Sequence, residues 1–491
     1  MMGEKGTKGP MFFYVTLEEL VPKDHFLRSV LEVVNFSFIH GKVKHLYSHT
    51  GKPSVDPVVL VKIMLIGYLY GIVSERRLMQ EIQVNLAYRY FIGYSLEEDI
   101  PDHSTLSRNR NERFKDSTFQ EIFDEIVRQC KAYGLVSGED ITIDSTTVEA
   151  DASLDSLVPR KVHLAPDEYI RQVTKENPVK EESSKEETPN KNGTPKKTKL
   201  SNKDHVSKTD PDASIIRKPG KKTMLAYSDH LSVDARQRII VGVTATASDV
   251  SDDKPMISMI KRQNKKFGFK TQRVAADKKY GTGKNLKELT DMGIEPYVPV
   301  QKHVNKKGLF DQDKFSYDCQ EDVFTCPEGK SLKFFRYGKT KETKRYRAQA
   351  EDCLDCPQRS KCTTSENGRM VNRNIYQDLI DEAKARMKTP KGTRAAKKRM
   401  TTSETINAEA KNSHGLSRCR YRGLDKARIQ FLMTAAAQNI KRMVQAVMRQ
   451  REKAQAIATC GYENAIAYSS KVIITALFSK LFNYQGAVVT C

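Results

Sequence analysis

Three carboxylates in the sequence have neighbours that suit a metal site. Asp144 and Asp277 each follow a short run of apolar or alternating residues, as at the end of a β-strand. Glu404 lies in a helical pattern seven positions before Lys411, about two turns, so both side chains project from one helix face. Carboxylate oxygens are the ligands that Mg²⁺ and Mn²⁺ prefer, and three converging acids could hold two such ions.

The reaction that such a site supports is attack on a phosphodiester. Two ions activate a water or a 3′-hydroxyl on one side of the phosphorus and stabilise the leaving oxygen on the other. A single aspartate is more often a turn or capping residue, and Glu404 alone would be favoured near a helix start by the helix dipole. The interpretation therefore depends on elements that bring the three acids together.

The elements between residues 137 and 300 predict such a scaffold. Ile141 and Ile143 alternate with polar residues, which is typical of a half-buried strand. Two β-rich runs around a polar turn at 234–237 predict a hairpin. Helices are expected at 252–267 and 286–292, and strands at 273–277 and 294–300. This order predicts a mixed sheet flanked by helices, with Asp144 and Asp277 at strand ends, where sites form in open α/β sheets.

The first 136 residues predict a separate helical domain. Asp102 resembles an N-cap for a helix that carries Arg108, Arg110 and Arg113. Closely spaced arginines on one of several short helices suit a helix-turn-helix-like unit that contacts DNA. The alternative is a helical bundle with a solvated basic face.

The charge of the chain favours a polyanionic partner. The 491 residues carry a formal net charge of +22, which repels itself unless an anion such as nucleic acid offsets it. A second basic stripe contains Arg418, Arg420 and Arg422. The alternative is a basic protein without a polyanion partner. No signal peptide or span-length apolar run is visible, so we expect a cytoplasmic protein that binds no membrane.

Residues 301–395 form a basic segment rich in cysteine. Cys353 and Cys356 have a knuckle-type spacing, Cys362 follows, and Cys326 could complete a tetrahedral set of four thiolates for a structural Zn²⁺. Free thiols in an intracellular protein are the alternative.

The remaining segments have simpler predictions. Residues 175–210 are polar and are expected to form a disordered loop. Residues 396–450 are expected to form two helices. The first begins near Ser403 and carries Glu404, and the second is an amphipathic helix that begins at Leu424. The tail from 451 to 491 has no predicted role.

Several short motifs, in one order along the chain, resemble the DDE transposases of bacterial insertion sequences, in the branch with an N-terminal helical domain. The resemblance extends from Thr16 to about Gln450. The motifs are Leu20-Val21-Pro22-Lys23-Asp24-His25, Pro101-Asp102-His103-Ser104-Thr105-Leu106, Ile143-Asp144-Ser145-Thr146 with Glu149-Ala150-Asp151-Ala152-Ser153, Ala275-Ala276-Asp277-Lys278-Lys279-Tyr280, His414-Gly415-Leu416 through Arg420-Tyr421-Arg422-Gly423-Leu424, and Ala437-Gln438-Asn439-Ile440-Lys441-Arg442.

The resemblance implies an RNase H-like catalytic fold that is interrupted before the glutamate helix by the cysteine-bearing insertion. It implies Asp144, Asp277 and Glu404 as ligands of Mg²⁺ or Mn²⁺. It further implies binding to double-stranded DNA at terminal inverted repeats, cleavage at the element ends, transfer of 3′-hydroxyl ends into target DNA, and a homo-oligomer in the synaptic complex.

The sequence departs from the family pattern around the third acid. The family usually has a valine before the glutamate and an aromatic residue three positions after it, where this chain has Ser403 and Asn407. Glu409 is therefore a competing third acid, although Glu404 keeps the spacing to Lys411. An inactive DNA-binding descendant and an RNase H-like nuclease without strand transfer are alternative functions.

Overall fold

The computed structural model describes residues 15–51, 53–160, 200–220, 222–301, 308–339 and 342–459. The chain divides into two compact units. Unit 1 consists of the described residues within Met1–Phe114, Glu121–Val136 and Ala436–Cys491. Unit 2 consists of those within Lys115–Gln120 and Ser137–Ala435.

Unit 1 is built from helices in its described residues. Local capping fixes where several of them begin: the Asp56 carboxylate accepts the Val58 N–H at 2.6 Å, and the Asp102 carboxylate accepts the Ser104 N–H at 2.8 Å. The helices are α1 Leu17–Leu20, α2 Phe26–Val33, α3 Phe38–Val43, α4 Pro57–Leu69, α5 Glu75–Val84, α6 Leu86–Ile92, α7 His103–Glu112 and α8 Asp116–Ala132, the last of which begins in unit 2.

Unit 2 contains a six-stranded mixed sheet. Its strands are β1 Asp140–Glu149, β4 Ser214–Ile216, β5 Met224–Asp234, β6 Ile239–Ala247, β7 Arg273–Ala276 and β8 Glu295–Tyr297. A separate short pair consists of β2 Leu157–Pro159 and β3 His205–Ser207. The spatial order is β4-β5-β1-β7-β8, and β6 also pairs with β5. The predicted hairpin is the antiparallel pair β5 and β6, while β1, β7 and β8 run parallel.

Helices cover both faces of this sheet. Two of them follow β6 and β7 in the chain, α9 Pro255–Phe267 and α10 Gly283–Asp291. The Ser232 hydroxyl, on β5 opposite Ile143, donates to Gln263 of α9 at 2.6 Å. Asp144, the next residue of β1, contacts a different helix, as described below. Because consecutive residues of a strand point to opposite faces, the two helices lie on opposite sides of the sheet.

Residues after 308 form a second, five-stranded antiparallel sheet. It contains β9 Ser316–Asp318, β10 Val323–Thr325, β11 Ser331–Tyr337, β12 Thr343–Arg347 and β13 Met370–Asn374, with α11 Ala350–Leu354 and α12 Arg359–Cys362 between the last two. Its buried core is small and includes Phe324, Leu332, Tyr346 and Val371. The cysteine-bearing segment, predicted as an insertion, contains a β-sheet with its own buried cluster.

Three long helices complete the described chain: α13 Gln377–Met387, α14 Pro390–Ser413 and α15 Leu424–Thr459. Helix α14 packs against β1, β7 and β8. Helix α15 begins in unit 2 and continues into unit 1. No helix in the described ranges is both long and apolar enough to cross a bilayer.

The structure corrects three segment predictions. Residues 200–210 of the predicted loop are ordered, because β3 pairs with β2 and the buried Asp210 carboxylate accepts the Tyr227 hydroxyl at 2.6 Å; residues 175–199 lie outside the described residues. The helix expected near Ser403 begins at Pro390, since Thr389 caps its first turn. The predicted tail is helical as far as Thr459, and its remainder also lies outside the described residues.

Candidate metal-binding active site

Backbone pairing between β1 and β7 brings Asp144 and Asp277 side by side. The two strands run parallel, and Ile143 pairs with Ala276 as the last matched residues. Asp144 and Asp277 are the next residues on the two strands, so they occupy level positions. The Asp277 carboxylate also accepts the Lys278 N–H at 2.6 Å, which fixes it at the start of a 3₁₀ turn.

The strand-end prediction is right for Asp277 and wrong for Asp144. Strand β7 ends at Ala276, but β1 continues beyond Asp144 to Glu149. The continuation is held by antiparallel pairing with β5, which extends along β1 from Ile141 to Glu149. Asp144 therefore lies within β1, at the level where the parallel strand β7 ends.

Helix α14 covers Asp144 with three residues spaced four apart. Arg399 Nη1 lies 3.6 Å from Asp144 Oδ1, and Asn407 Nδ2 lies 3.5 Å from Asp144 Oδ2. Ser403 lies between them on the same helix face, and its buried hydroxyl has no hydrogen-bond partner in the described residues. Residues four apart share one face of a helix, so these contacts define the face that α14 turns towards β1.

Burial raises the pKa of Asp144 above its ordinary value, and the negative charge of Asp277 raises it further. The guanidinium of Arg399, the Ser145 N–H and the Ser403 hydroxyl act in the opposite direction but do not cancel the effect. A buried carboxylate beside a second one is suited to a divalent cation, which would stabilise the charged form of Asp144.

Neither candidate third acid contacts the aspartates in the described structure. Glu404 follows Ser403 on α14 and is exposed, whereas the Glu409 carboxylate lies 3.3 Å from Nε2 of the buried His414. Lys411 lies two turns after Glu404 on nearly the same face of α14, and its amine donates to the Thr147 carbonyl at 3.2 Å. Glu404 thus lies beside the site and Glu409 on another face of the helix.

A further acid, Asp229, is buried on the same face of the sheet. It pairs with Thr146, two residues beyond Asp144 on β1, and is 1% exposed. Its Oδ1 atom has no hydrogen-bond partner in the described residues. Burial raises the pKa of Asp229 to about 8, and the charge of Lys411 opposes this shift. This carboxylate is therefore largely neutral near neutral pH.

The donor types at Asp144 and Asp277 fit a divalent cation, but the described geometry is incomplete. No group of three or more His, Cys, Asp or Glu side chains within the described ranges is arranged to hold a metal ion. Two carboxylates are adjacent, and the Arg399 guanidinium and the Asn407 amide lie against Asp144. Glu404 could join them only if its exposed side chain turned inward.

The arginines predicted to contact DNA from α7 differ in their surroundings. Arg108 is exposed. The Arg113 guanidinium lies over the Tyr47 ring at 4.7 Å. Arg110 is buried in an ion pair with Glu75, and its role as a DNA contact stays a prediction.

The second basic stripe is partly neutralised. Arg418 and Arg422 are exposed, and both pair with the Asp151 carboxylate, at 3.3 and 3.2 Å. Arg420 donates to the His414 carbonyl at 3.2 Å and is less exposed, and its role as a DNA contact stays a prediction.

The four cysteines of the predicted zinc set lie near one another in the insertion. Burial raises the pKa of the Cys362 thiol, and the neighbouring Cys353, Cys326 and Cys356 raise it further. Two sulfurs already accept backbone N–H groups, Cys326 from Lys330 at 3.3 Å and Cys353 from Arg369 at 3.4 Å. All four are free thiols. Thiol donors suit Zn²⁺, although their present arrangement is not a ligand shell.

Family comparison identifies two transposase domains in the chain. Residues 15–112 match the family described as "Transposase domain (DUF772)", and residues 325–444 match the "Transposase DDE domain". Each match covers less than half of the chain, and together they support an insertion-sequence DDE transposase, as the sequence motifs predicted. The second match includes Glu404 and the cysteines but neither Asp144 nor Asp277.

Comparisons with other proteins add little. No curated protein matches the chain. Among solved structures, the piggyBac transposase synaptic complex with hairpin DNA matches with 9% identity and a TM-score of 0.30, over 93% of this chain and 83% of that one. That likeness is too low to support an argument. The mixed sheet flanked by helices, together with the DDE family match, fits an RNase H-like domain.

Sequence reasoning missed the residues that contact Asp144 from α14. The signal was present as the four-residue spacing of Arg399, Ser403 and Asn407. This spacing was not recognised because Ser403 and Asn407 were interpreted only as departures from the family pattern. Asp229 gave no signal, since an acid within an alternating strand is ordinarily placed on the solvent face.

Proposed function

We propose that this transposase binds the ends of an insertion sequence and catalyses metal-dependent DNA cleavage and strand transfer. The observation that carries the proposal is the level position of Asp144 and Asp277 at the end of the β1–β7 pairing. Mg²⁺ or Mn²⁺, when bound there, would supply activation of the attacking oxygen and stabilisation of the leaving one. Glu404 is proposed as the third ligand, and DNA is proposed to be held by a homo-oligomer.

The residues of the chain have separate roles in this proposal. Asp144 and Asp277 bind the metal, and Arg399 stabilises the ionised Asp144 carboxylate until the metal arrives. Lys411 and the exposed Arg108 contact the DNA backbone. The exposed Arg418 and Arg422 can exchange their shared Asp151 partner for a phosphate. Phosphate contacts of this kind position DNA without reading its sequence.

The test compares Asp144→Asn and Asp277→Asn with Asp291→Asn, a control at an exposed aspartate of α10. Removing a metal ligand should lower cleavage of an end-containing duplex on the order of a thousandfold, since a catalytic metal contributes several kcal/mol. DNA binding should change little. Undiminished nicking by either site variant sinks the proposal, and joining of pre-cleaved 3′-hydroxyl ends separates strand transfer from simple nuclease activity.

A second candidate is a catalytically inactive DNA-binding protein derived from a transposase. Its support is the exposed position of Glu404 together with Ser403 and Asn407 against Asp144. Strand transfer by the purified wild-type protein with Mg²⁺ rules this candidate out.

A structural zinc is proposed for the insertion. Cys326, Cys353, Cys356 and Cys362 would bind it as thiolates, and the N–H groups of Lys330 and Arg369 would stabilise two of the sulfurs. Metal analysis of protein purified without added zinc should give one Zn²⁺ per chain. Metal-free protein after gentle purification favours free thiols.

A further inference from the structure

Among the described residues, no buried apolar cluster lies against one face of the five-stranded sheet. Leu332, Tyr346 and Val371 point to the core face. Their neighbours along each strand point to the other face, because side chains alternate. We call this the outer face; it carries Lys333 and Arg336 of β11, Arg345 and Arg347 of β12, and Asn372 of β13.

Like charges stand directly opposite each other on the outer face. Lys333 pairs with Arg347 across β11 and β12, and Arg336 pairs with Arg345. Directly opposed like charges destabilise a sheet, so an arrangement with two such pairs is costly unless an anion lies over it. Among the described residues, none of these four cations forms an ion pair with an acidic side chain, and Arg345 Nε has no hydrogen-bond partner.

The cations on the core side of the same sheet pair with acidic side chains. Lys344 lies 3.0 Å from the Asp322 carboxylate, and Arg373 lies 2.7 Å from the Asp378 carboxylate. Arg373 also lies over the Tyr317 ring at 3.9 Å. Positive charge is therefore neutralised on one side and left without acidic partners on the other, which gives the outer face complementarity to a polyanion.

An aromatic ring stands among the outer-face cations. Phe335 is the extra residue at a β-bulge, where the register shifts between Phe334 and Arg336, and it is 41% exposed. The guanidinium of Arg347 lies 4.0 Å from its ring centroid and that of Arg336 lies 5.2 Å away. Bulges re-aim side chains, and this one presents a ring flanked by two planar cations.

We propose that the outer face binds a DNA strand with unpaired bases, with Phe335 stacking on a base and Lys333, Arg336, Arg345 and Arg347 contacting phosphates. An exposed ring beside a basic track is the arrangement by which proteins bind single strands, because every base has a π-face. A paired duplex would engage the cations but leave the ring unused. The inference rests on the proposed function, since strand cleavage and joining supply such strands.

The test measures binding of the full chain to a short single-stranded oligonucleotide and to its duplex, by fluorescence anisotropy without Mg²⁺. Phe335→Ala should weaken single-strand binding about tenfold, the usual loss for one stacked base, and change duplex binding less than twofold. Phe335→Tyr, which keeps the ring, should bind like the wild type.

Charge variants test the phosphate contacts. Lys333→Ala and Arg347→Ala should each weaken binding to both DNA forms and reduce the salt slope of binding by about one. The control Lys384→Ala, at an exposed lysine of α13 that pairs with Asp381, should leave both unchanged. Circular dichroism of each variant checks folding.

Two results overturn the inference: unchanged single-strand affinity in folded Phe335→Ala, or an equal loss for single strand and duplex. Failure of the proposed function is a different result. If wild-type protein neither cuts nor joins DNA but its single-strand binding depends on Phe335, the outer-face inference is supported and the catalytic proposal fails. If Asp144→Asn abolishes cleavage while Phe335→Ala binds normally, only the outer-face inference fails.

Discussion

In the six-stranded sheet the charged side chains lie under a helix, whereas in the five-stranded sheet they stand on an uncovered face. Asp144 and Asp229 are covered by or buried beneath α14, and burial raises the pKa of both. Lys333 and Arg336, on the outer face, are exposed. A compact cation that enters the site would stabilise a covered carboxylate most, whereas an exposed row of cations suits an extended anion. The two sheets therefore suit different ligands, a metal ion in one and a polyanion in the other.

This comparison predicts that the two sheets can be impaired separately. Substitutions under α14 should remove chemistry and spare DNA binding, whereas substitutions on the outer face should weaken binding before they affect chemistry.

The third acid should show the largest effect. Glu404→Gln should lower cleavage by on the order of a hundredfold or more, because a metal ligand is lost, while folding stays unchanged at this exposed position. Glu409→Gln should retain cleavage, since Glu409 contacts His414 instead of the aspartates. Cleavage assays of both variants provide the measurement. Wild-type activity in Glu404→Gln would show that the site uses only two acids or takes its third from elsewhere.

The small core of the five-stranded sheet should depend on its cysteines. Cys353→Ser should remove the bound zinc and lower the melting temperature of the insertion, because a small core needs a metal or another cross-link for stability. Cys319→Ser, at an exposed cysteine of the same insertion, is the matched control. Metal content and calorimetry follow the two variants. Equal melting temperatures with equal metal content contradict the zinc proposal.

Asp229 should give a smaller, pH-dependent effect. Its carboxyl has a pKa raised from 3.8 to about 8 in the folded chain, so between these values the folded form binds a proton that the unfolded form has lost. The free energy of unfolding must then fall as pH rises through this range. Asp229→Asn should remove this part of the pH dependence, and its melting temperature should exceed that of the wild type most clearly near pH 8. Parallel melting curves of the two proteins at all pH values argue against a buried neutral acid.

Local patterns predicted those parts of the fold that local interactions decide. The β5–β6 hairpin and Asp277 at the end of β7 follow from alternation and turn residues, which act over a few positions. The continuation of β1 beyond Asp144 was not predictable, because it depends on pairing with β5, which lies far along the chain. Long-range pairing of this kind leaves no local signal.

The candidate site was predictable in its residue types but not in its contacts. The chemistry of metal ligands pointed to Asp144 and Asp277, and the pairing of their strands supports that choice. Helix α14 was predicted to begin near Ser403, after the basic stretch that starts at Gly392, so the contact of Arg399 with Asp144 was not seen. Arg110 looked available because its partner Glu75 lies on another helix.

The parallel pairing of β1 and β7 also determines when the site can exist during synthesis. Asp144 and Asp277 belong to segments far apart in the sequence, and only strand pairing holds them level. Helix α14, which covers them, is synthesised later still. A nascent or proteolysed chain that lacks either segment has no paired carboxylates. The proposed metal site therefore forms only after both strands and the helix have been made.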